Sequence, residues 1–281
     1  MTYWNAVLLG LVQGVAEFLP ISSSGHLAVL QNFLAIGDME NHMLFDVLLH
    51  LGTLAAVILA FWKDVREVVT EFARMLHIRR TPRGLRPNRR ERRLISFLII
   101  ATLPLIPAAF LSNVVESLYQ NTFFIGFAFI LTGFLLFAAD RMGHGNKDER
   151  SSTTADALVV GLAQAVAVVP GLSRSGTTIS FGMLRGFERS FAVKFSFLLS
   201  IPAVLGANLV SIIKVFSTGV EGSYVPMYLV GVACAFVSGY FAIYFLRLVV
   251  QRGKFGGFCY YCWGAGLVTL LLSLKIGRAS C

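Results

Sequence analysis

Apolar positions along the chain gather into long runs separated by short polar segments. Six runs approach or reach the roughly 20 residues that a helix needs to cross the hydrocarbon core of a bilayer; they lie at 47–62, 94–111, 123–139, 195–213, 225–246 and 258–274. We therefore predict six transmembrane helices. Composition agrees, because 56% of the residues are hydrophobic and only 14% are charged, which is typical of an all-α polytopic membrane protein and not of a soluble domain.

Two further apolar stretches, at 4–34 and 157–184, are interrupted near their middle by clusters of Pro, Gly and Ser. Non-helical backbone at membrane depth is tolerated only where protein or a wet cavity surrounds it, since lipid offers no hydrogen bonds. The pattern therefore predicts a broken or re-entrant helix pair in each stretch.

Basic residues are sorted along the chain. Eleven of the 24 Lys and Arg lie in the loop 63–93, and three more lie in each of the segments 141–150, 185–194 and 247–254. Because Lys and Arg near span ends are retained in the cytoplasm, we place these segments on the cytoplasmic side, solvated or in contact with anionic membrane lipids. The net charge of +9 comes without an RNA-binding or DNA-reading pattern, so no nucleic-acid partner is expected.

The interrupted stretches are related in sequence. GLVQGVAEFLPISSSGHL at 10–27 aligns without gaps on GLAQAVAVVPGLSRSGTT at 161–178, with eight identities in 18 positions. The identities include a Gln and an S-x-S-G core, which a shared apolar composition does not explain. Related runs follow at 45–52 and 195–202. We predict a single membrane domain, 1–281, containing one repeat at 1–139 and a second at 155–274.

The charge pattern also orients the two repeats. The span that starts at 47 must run toward the basic loop, whereas the span that starts at 195 must run away from a basic segment, so we expect inverted topology. Inverted repeats place their sites near mid-membrane, where broken helices meet. The tips at 22–25 and 173–176 are therefore predicted to face each other.

Three ionisable residues within these stretches, Glu17, His26 and Arg174, are candidates for function because burying charge in a membrane is costly. Arg174 and the Ser and Gly residues of the tips predict an oxyanion site at helix N-termini. His26 is suited to nucleophilic or acid–base chemistry, and Glu17 to orienting it or holding a divalent ion. The alternative is a purely structural ion pair between Glu17 and Arg174.

The motifs Gln13-x-x-x-Glu17, FLPISSSGH and PGLSRSGTTIS resemble those of the undecaprenyl-pyrophosphate phosphatase family. The resemblance covers almost the whole chain. It implies hydrolysis of a polyprenyl diphosphate lipid to its monophosphate at the outer face of the bacterial inner membrane, which recycles the cell-wall lipid carrier and is associated with bacitracin resistance. The resemblance is also compatible with a homodimer.

By position, the resemblance implies essential roles for Glu17, Ser23, His26 and Arg174. The residues implied to bind substrate phosphate are Gln13, Ser22, Ser24, Gly25, Ser173, Ser175, Gly176 and Thr178. Gln13 replaces the first acidic residue of the family motif, which puts a two-carboxylate metal site in doubt. Binding of a Mg²⁺ or Ca²⁺ ion by Glu17 is still an alternative. His50 stands where many relatives have Gln and is a further candidate to line the cavity.

Several alternatives remain at this point. SSSGH also resembles type-2 phosphatidic-acid phosphatases, but their nucleophilic His follows the SR motif, and all five His here precede Ser173. The nucleophile is His26, a tip Ser or water. A lipid flippase or secondary transporter with the same anion site is the competing function. Cys259-x-x-Cys262 is weak evidence for metal or redox chemistry and is better explained by packing.

Overall fold

The computed structural model describes residues 2–34, 39–76, 88–216 and 224–279. These residues form helices joined by short connections. The helices are α1 (Tyr3–Phe18), α2 (Ser23–Leu34), α3 (Met39–Ala60), α4 (Trp62–Met75), α5 (Arg89–Thr102), α6 (Leu105–Ala109), α7 (Ser112–Tyr119), α8 (Thr122–Met142), α9 (Thr154–Val166), α10 (Arg174–Leu184), α11 (Arg189–Phe216), α12 (Val225–Gln251) and α13 (Phe258–Ala279).

The prediction of a multi-pass helical membrane protein is confirmed. Five segments are long and apolar enough to cross a bilayer: Arg89–Ala109, Thr122–Met142, Arg189–Leu209, Val225–Gln251 and Phe255–Leu274. The sixth, Leu44–Ala60, continues into Trp62–Met75 through a 90° bend. Trp62, which the hydropathy pattern placed in the first span, instead begins α4. The charged residues that follow it do not belong in hydrocarbon, and the bend turns α4 away from the axis of α3.

Both interrupted apolar stretches are broken helices, as predicted. Residues 19–22 separate α1 from α2, and residues 167–173 separate α9 from α10. Each break contains a proline, which has no backbone N–H to donate within a helix. Each also contains a residue with left-handed backbone, Ser22 at φ 70° in the first break and Gly171 at φ 90° in the second.

The two broken helices are packed in the same way. Gly10 of α1 lies against the backbone of Gly231 in α12, and Gly161 of α9 lies against that of Ala101 in α5; a Cβ at either glycine would collide with that backbone. Both helices also begin alike, since Thr2 accepts a hydrogen bond from the amide of Asn5 and Thr153 accepts one from the amide of Asp156. The sequence correspondence therefore extends upstream of residue 10.

Between these helix pairs, α3 packs against α11 and α8 against α13. The largest buried apolar cluster contains Phe18, Phe61 and Phe197, whose rings meet edge to face at centroid distances of 5.5 Å. This core includes Leu19 and Ile21 of the first break and Ile179 of α10, so it holds the broken helices in place.

Ion pairs join the described parts of three of the four basic segments, 63–93, 141–150 and 185–194, at one end of the bundle. Arg90 and Lys194 both contact Glu149, at 2.8 and 3.2 Å, and Lys194 also contacts Asp64 at 2.5 Å. Arg189 contacts Asp140 at 2.8 Å. The predicted grouping of these segments is therefore seen in the fold, while Arg79, Arg80, Arg83 and Arg86 lie outside the described residues.

Asp156 is a buried carboxylate at the same end, just before the second apolar stretch. Burial alone would raise its pKa, but hydrogen bonds from Lys147, Thr153 and Arg185 outweigh this effect and lower the pKa to about 2. Lys147 and Arg185 approach its two oxygens at 2.9 and 2.8 Å. Asp156 thereby ties the start of α9 to the end of α10.

Candidate active site

The two tips have the same local structure. Ser22 precedes α2 and its hydroxyl accepts a hydrogen bond from the amide of Gly25 at 3.3 Å; Ser173 precedes α10 and accepts from the amide of Gly176 at 3.0 Å. Serine is favoured at this capping position because its oxygen satisfies an amide that has no partner within the helix. Capping leaves the remaining first-turn amides directed out of each helix N-terminus.

The structure brings the two tips into contact. The hydroxyl of Ser22 donates to the carbonyl of Leu172 at 3.4 Å, and that of Ser175 donates to the carbonyl of Leu19 at 3.3 Å. Gly25 and Gly171 approach so closely that a Cβ at Gly25 would lie 2.9 Å from Cα of Gly171. Ser24 and Ser175 lie beside the capping serines, with hydroxyl separations of 3.4 and 3.3 Å.

Glu17 is buried where the tips meet and accepts hydrogen bonds from both of them. Arg174 Nη2 donates to Oε1. Ser23 Oγ donates to Oε2 at 2.5 Å, and Gln13 Nε2 donates to the same oxygen at 3.1 Å. His50 Nε2 lies 3.8 Å from Oε2, so His50 does line the site. One carboxylate thus contacts four predicted residues from four helices.

Arg174 retains donors for a ligand. Its side chain is 24% exposed, whereas that of Glu17 is 5% exposed. Within the described part of the chain, the guanidinium hydrogen-bonds only to Glu17, although it carries five N–H donors. The ion pair expected as a structural alternative is therefore present, and it also orients the guanidinium beside the tips.

His26 is held by other groups. Its Nδ1 lies 2.7 Å from the carbonyl oxygen of Ser22 and its Nε2 lies 2.8 Å from the hydroxyl of Tyr261. The ring meets Phe129 edge to face at 4.9 Å. The expectation that Glu17 orients His26 is not met, because His26 follows the cap by one turn and its ring folds back onto the cap carbonyl. Glu17 orients Arg174 and Ser23 instead.

Thr178 supports the second tip from within α10. Its hydroxyl lies 2.9 Å from the carbonyl of Arg174, to which it donates, and 2.6 Å from the hydroxyl of Ser196 in α11. Thr178 is therefore placed to fix the first turn of α10 against α11.

Three residues that contact the site were missed by the sequence analysis: Thr132, Ser196 and Tyr261. Thr132 of α8 donates to the carbonyl of Gly171 and accepts from the amide of Ser173, both at 3.3 Å. All three are polar side chains in otherwise apolar spans, and this was the only signal in the sequence that could have revealed them.

The residues at the tips fit a protein-held metal poorly. Among the residues that the structure describes, no three His, Cys, Asp or Glu side chains form a metal cluster. Glu17 is the only carboxylate among the predicted site residues, and both of its oxygens already accept hydrogen bonds. Gln13 cannot supply the second carboxylate.

Cys259 and Cys262 are buried free thiols. The thiol of Cys262 lies 3.5 Å from the carbonyl of Pro20, to which it donates. The packing interpretation of this pair therefore agrees with the structure, and Cys262 helps attach α13 to the first tip.

A family model described as "Bacitracin resistance protein BacA" matches residues 6–268. The chain belongs to this family. Among similar proteins, one from Alkaliphilus metalliredigens is 41% identical and covers 98% of this chain and 100% of its own length. Others come from Halothermothrix orenii, at 36% identity over 97% and 99% of the two chains, and Syntrophotalea carbinolica, at 41% over 95% and 97%. Each of the three is named undecaprenyl-diphosphatase.

Proposed function

We propose that this BacA-family chain is a phosphatase that hydrolyses undecaprenyl diphosphate to undecaprenyl phosphate and inorganic phosphate. The names of its relatives support the substrate. The observation that carries the proposal is the convergence of Arg174 from one tip and Ser23 from the other on the two oxygens of Glu17. This arrangement joins an anion-binding group to a hydroxyl whose proton already points at a base.

Binding of the diphosphate uses the donors left free at the tips. Arg174 offers its remaining N–H groups in a planar fork suited to phosphate oxygens. The first-turn amides of α2 and α10 add neutral donors at two helix N-termini, and the hydroxyls of Ser24 and Ser175 lie beside them. These groups together neutralise and orient the headgroup, while the polyprenyl chain extends into the bilayer.

Ser23 is the proposed nucleophile. As its Oγ attacks the terminal phosphorus, its proton passes to the Glu17 carboxylate, 2.5 Å away. The bond from phosphorus to the bridging oxygen breaks, and undecaprenyl phosphate leaves with that electron pair and takes the proton from Glu17, which is a carboxylate again. Water then attacks the phosphoserine with Glu17 as base, and this releases phosphate and restores the Ser23 hydroxyl. His26 is less well placed for attack, since its Nε2 already faces the Tyr261 hydroxyl.

The architecture that we propose is six transmembrane helices and two re-entrant pairs in an inverted repeat. α2 spans 12 residues from its tip and α10 spans 11, so each runs about 17 Å at 1.5 Å per residue. α10 ends at the basic end of the bundle, near Arg185, whereas Asn32 near the end of α2 contacts Tyr119, beyond the other end of α8. These directions support tips near mid-membrane.

We further propose that the headgroup reaches the site from the outer face of the bacterial inner membrane and that the reaction recycles the cell-wall lipid carrier. The collection of basic segments at the opposite end supports this orientation. Any divalent cation is proposed to enter on the diphosphate, because the tips offer it only one carboxylate. Phosphate release by protein treated with a chelator, with and without added Mg²⁺ or Ca²⁺, measures this requirement.

The test of the function is phosphate release from a polyprenyl diphosphate by the purified protein in detergent. Ser23→Ala, Glu17→Gln and Arg174→Lys should each lower kcat by about 100-fold or more, since each removes a group that acts on the transition state. Arg252→Lys, an exposed change at the basic end, is the matched control. A phosphoenzyme trapped by acid quench in the wild type and lost in Ser23→Ala would identify the nucleophile.

Two outcomes would count against the proposal. Undiminished release by both Ser23→Ala and Arg174→Lys would show that the tips are not the active site. No release by the wild type, combined with movement of a polyprenyl phosphate across reconstituted vesicles, would favour the flippase alternative.

A further inference from the structure

Tyr261 of α13 is the side chain that completes the surroundings of His26. Its hydroxyl lies 2.8 Å from Nε2 of His26, and the two rings stack with centroids 5.7 Å apart and an interplanar angle of 18°. Tyr261 is also half exposed, at 49%, so it lies between the site and the outer surface of the bundle. Neither the tip motifs nor the repeat pointed to it.

The hydrogen bonds of His26 define how its imidazole is protonated. The carbonyl oxygen of Ser22 can only accept, so Nδ1, 2.7 Å away, carries a hydrogen and donates it. In the neutral ring, Nε2 then carries the lone pair, and the Tyr261 hydroxyl donates to it. The ring is thus held at both nitrogens, and its Nε2 lone pair is occupied by the Tyr261 hydroxyl.

The rest of α13 keeps Tyr261 in this position. The neighbouring residue, Cys262, is buried and its thiol donates to the carbonyl of Pro20 in the first tip. On the opposite side of His26, Phe129 of α8 contacts the imidazole edge to face, and α8 packs along α13. His26 therefore lies between two helices that pack against each other, and this packing holds Tyr261 next to it.

We propose that Tyr261 is a positioning residue for the phosphatase reaction, which acts by holding the neutral imidazole of His26 so that its Nδ1–H stays on the carbonyl of Ser22, the residue before the proposed nucleophile Ser23. This inference rests on the proposed function. Tyr261 acts through His26, and His26 acts through the backbone of the first tip.

The variant that isolates the hydroxyl is Tyr261→Phe, which keeps the stacked ring. A hydrogen bond of this kind contributes about 1 kcal/mol, so we expect kcat to fall about fivefold to tenfold, with KM changed less than twofold. Tyr260→Phe is the matched control: its ring is 68% exposed and packs on Trp263, not on His26. Its kcat should equal that of the wild type.

A double-mutant cycle separates positioning from a structural role. In the His26→Gln background, which keeps measurable activity only if the ring is not the nucleophile, Tyr261→Phe should have no further effect, because its partner is gone. An equal loss in both backgrounds would overturn the proposal, and so would unchanged kcat in Tyr261→Phe. Thermal unfolding of each variant checks that the protein is folded.

A spectroscopic measurement tests the contact without relying on turnover. In protein labelled with ¹⁵N-histidine, the His26 signals are assigned by their absence in His26→Gln. Loss of the Tyr261 hydroxyl should move the Nε2 resonance toward that of an unbonded acceptor nitrogen, and Tyr260→Phe should leave it in place. An unchanged Nε2 resonance would overturn the proposal, whereas absence of phosphate release by the wild type would overturn only the proposed function.

Discussion

Ser23 and Arg174 occupy the same position of the repeat, and both side chains reach the same carboxylate. Two further functional positions have diverged, with Glu17 opposite Val168 and His26 opposite Thr177. Glu17 is the only acidic residue in the aligned stretches 10–27 and 161–178, so the two tips are not equivalent. One tip supplies the base and hydroxyl and the other supplies the cation, and neither repeat holds a complete set of groups.

The tip motifs were enough to predict that Glu17, Ser23 and Arg174 share a site, because a charged residue in an apolar stretch requires a partner. The motifs did not reveal Thr132 or Tyr261. These residues reach the tips from α8 and α13. Packing between helices that are far apart in sequence decides which face of a long apolar helix turns inward. The partner of His26 was mispredicted for the same reason.

Gly171 tests the backbone of the second tip. Its φ of 90° disfavours any residue with a Cβ, and that Cβ would lie 2.6 Å from Cβ of Ala128. We expect Gly171→Ala to destabilise the fold by about 2 kcal/mol or more, from backbone strain and overpacking together. Thermal unfolding in detergent should show a midpoint lower by several degrees.

The control for this change is Gly206→Ala. Gly206 lies within α11 and a Cβ there would meet nothing within 4 Å, so Ala should leave the midpoint unchanged or raise it slightly. Equal midpoints for the two variants would show that the second tip does not need its left-handed glycine.

The helix breaks were predictable because proline, glycine and serine act locally. The 90° bend after Ala60 was not. The apolar run continues through Phe61 and Trp62, and only the charged residues beyond it indicate that the chain must leave the membrane. α4 then presents Val65, Val68 and Phe72 to a cavity of about 330 Å³, lined almost entirely by apolar side chains of α4, α5 and α11. Hydropathy alone cannot place a bend that tertiary packing decides.

Asp156 makes the attachment of α9 to α10 dependent on pH. Its pKa is about 2 in the fold and about 3.9 in an unfolded chain. Because the folded pKa is the lower one, the stabilisation is complete above pH 5 and is lost as pH falls toward 2. The difference between the two pKa values corresponds to about 2 to 3 kcal/mol.

We expect Asp156→Asn to lower the unfolding midpoint at pH 7 and to flatten its decline between pH 5 and pH 3. Glu67→Gln, which removes an exposed carboxylate of α4, should keep the pH dependence of the wild type. If Asp156→Asn declines as steeply as the wild type, the stability of this end does not depend on the charge of Asp156.

At the scale of the whole molecule, the sequence predicts a repeat but not the helices against which its two copies pack. Gly10 and Gly161 are identical because each permits a close crossing, yet their partners, Gly231 and Ala101, lie in helices with no obvious sequence relation. α12 and α5 thus have matching positions without matching residues. A close helix crossing requires a small residue at only a few positions. Sequence similarity between the repeats is therefore kept at the glycine and is lost at the residue that the glycine contacts.

The orientation in the membrane that the basic segments predict can be tested at the two ends of the bundle. Gln251 ends α12 beside the basic segment, and Gln120 precedes α8 at the opposite end; both are exposed. In a cysteine-free background, Gln120→Cys should react with a membrane-impermeant maleimide in intact cells, and Gln251→Cys only after the membrane is opened.

If Gln251→Cys reacts in intact cells and Gln120→Cys reacts only after the membrane is opened, the basic end faces outward and the opposite end faces the cytoplasm. That outcome would leave the chemistry of Ser23, Glu17 and Arg174 intact but would remove the proposed role in recycling, because the diphosphate would then be hydrolysed on the wrong side. Retained phosphate release by both variants ensures that the labelled protein is the folded one. The positive-inside arrangement of 20 of the 24 basic residues predicts the first result.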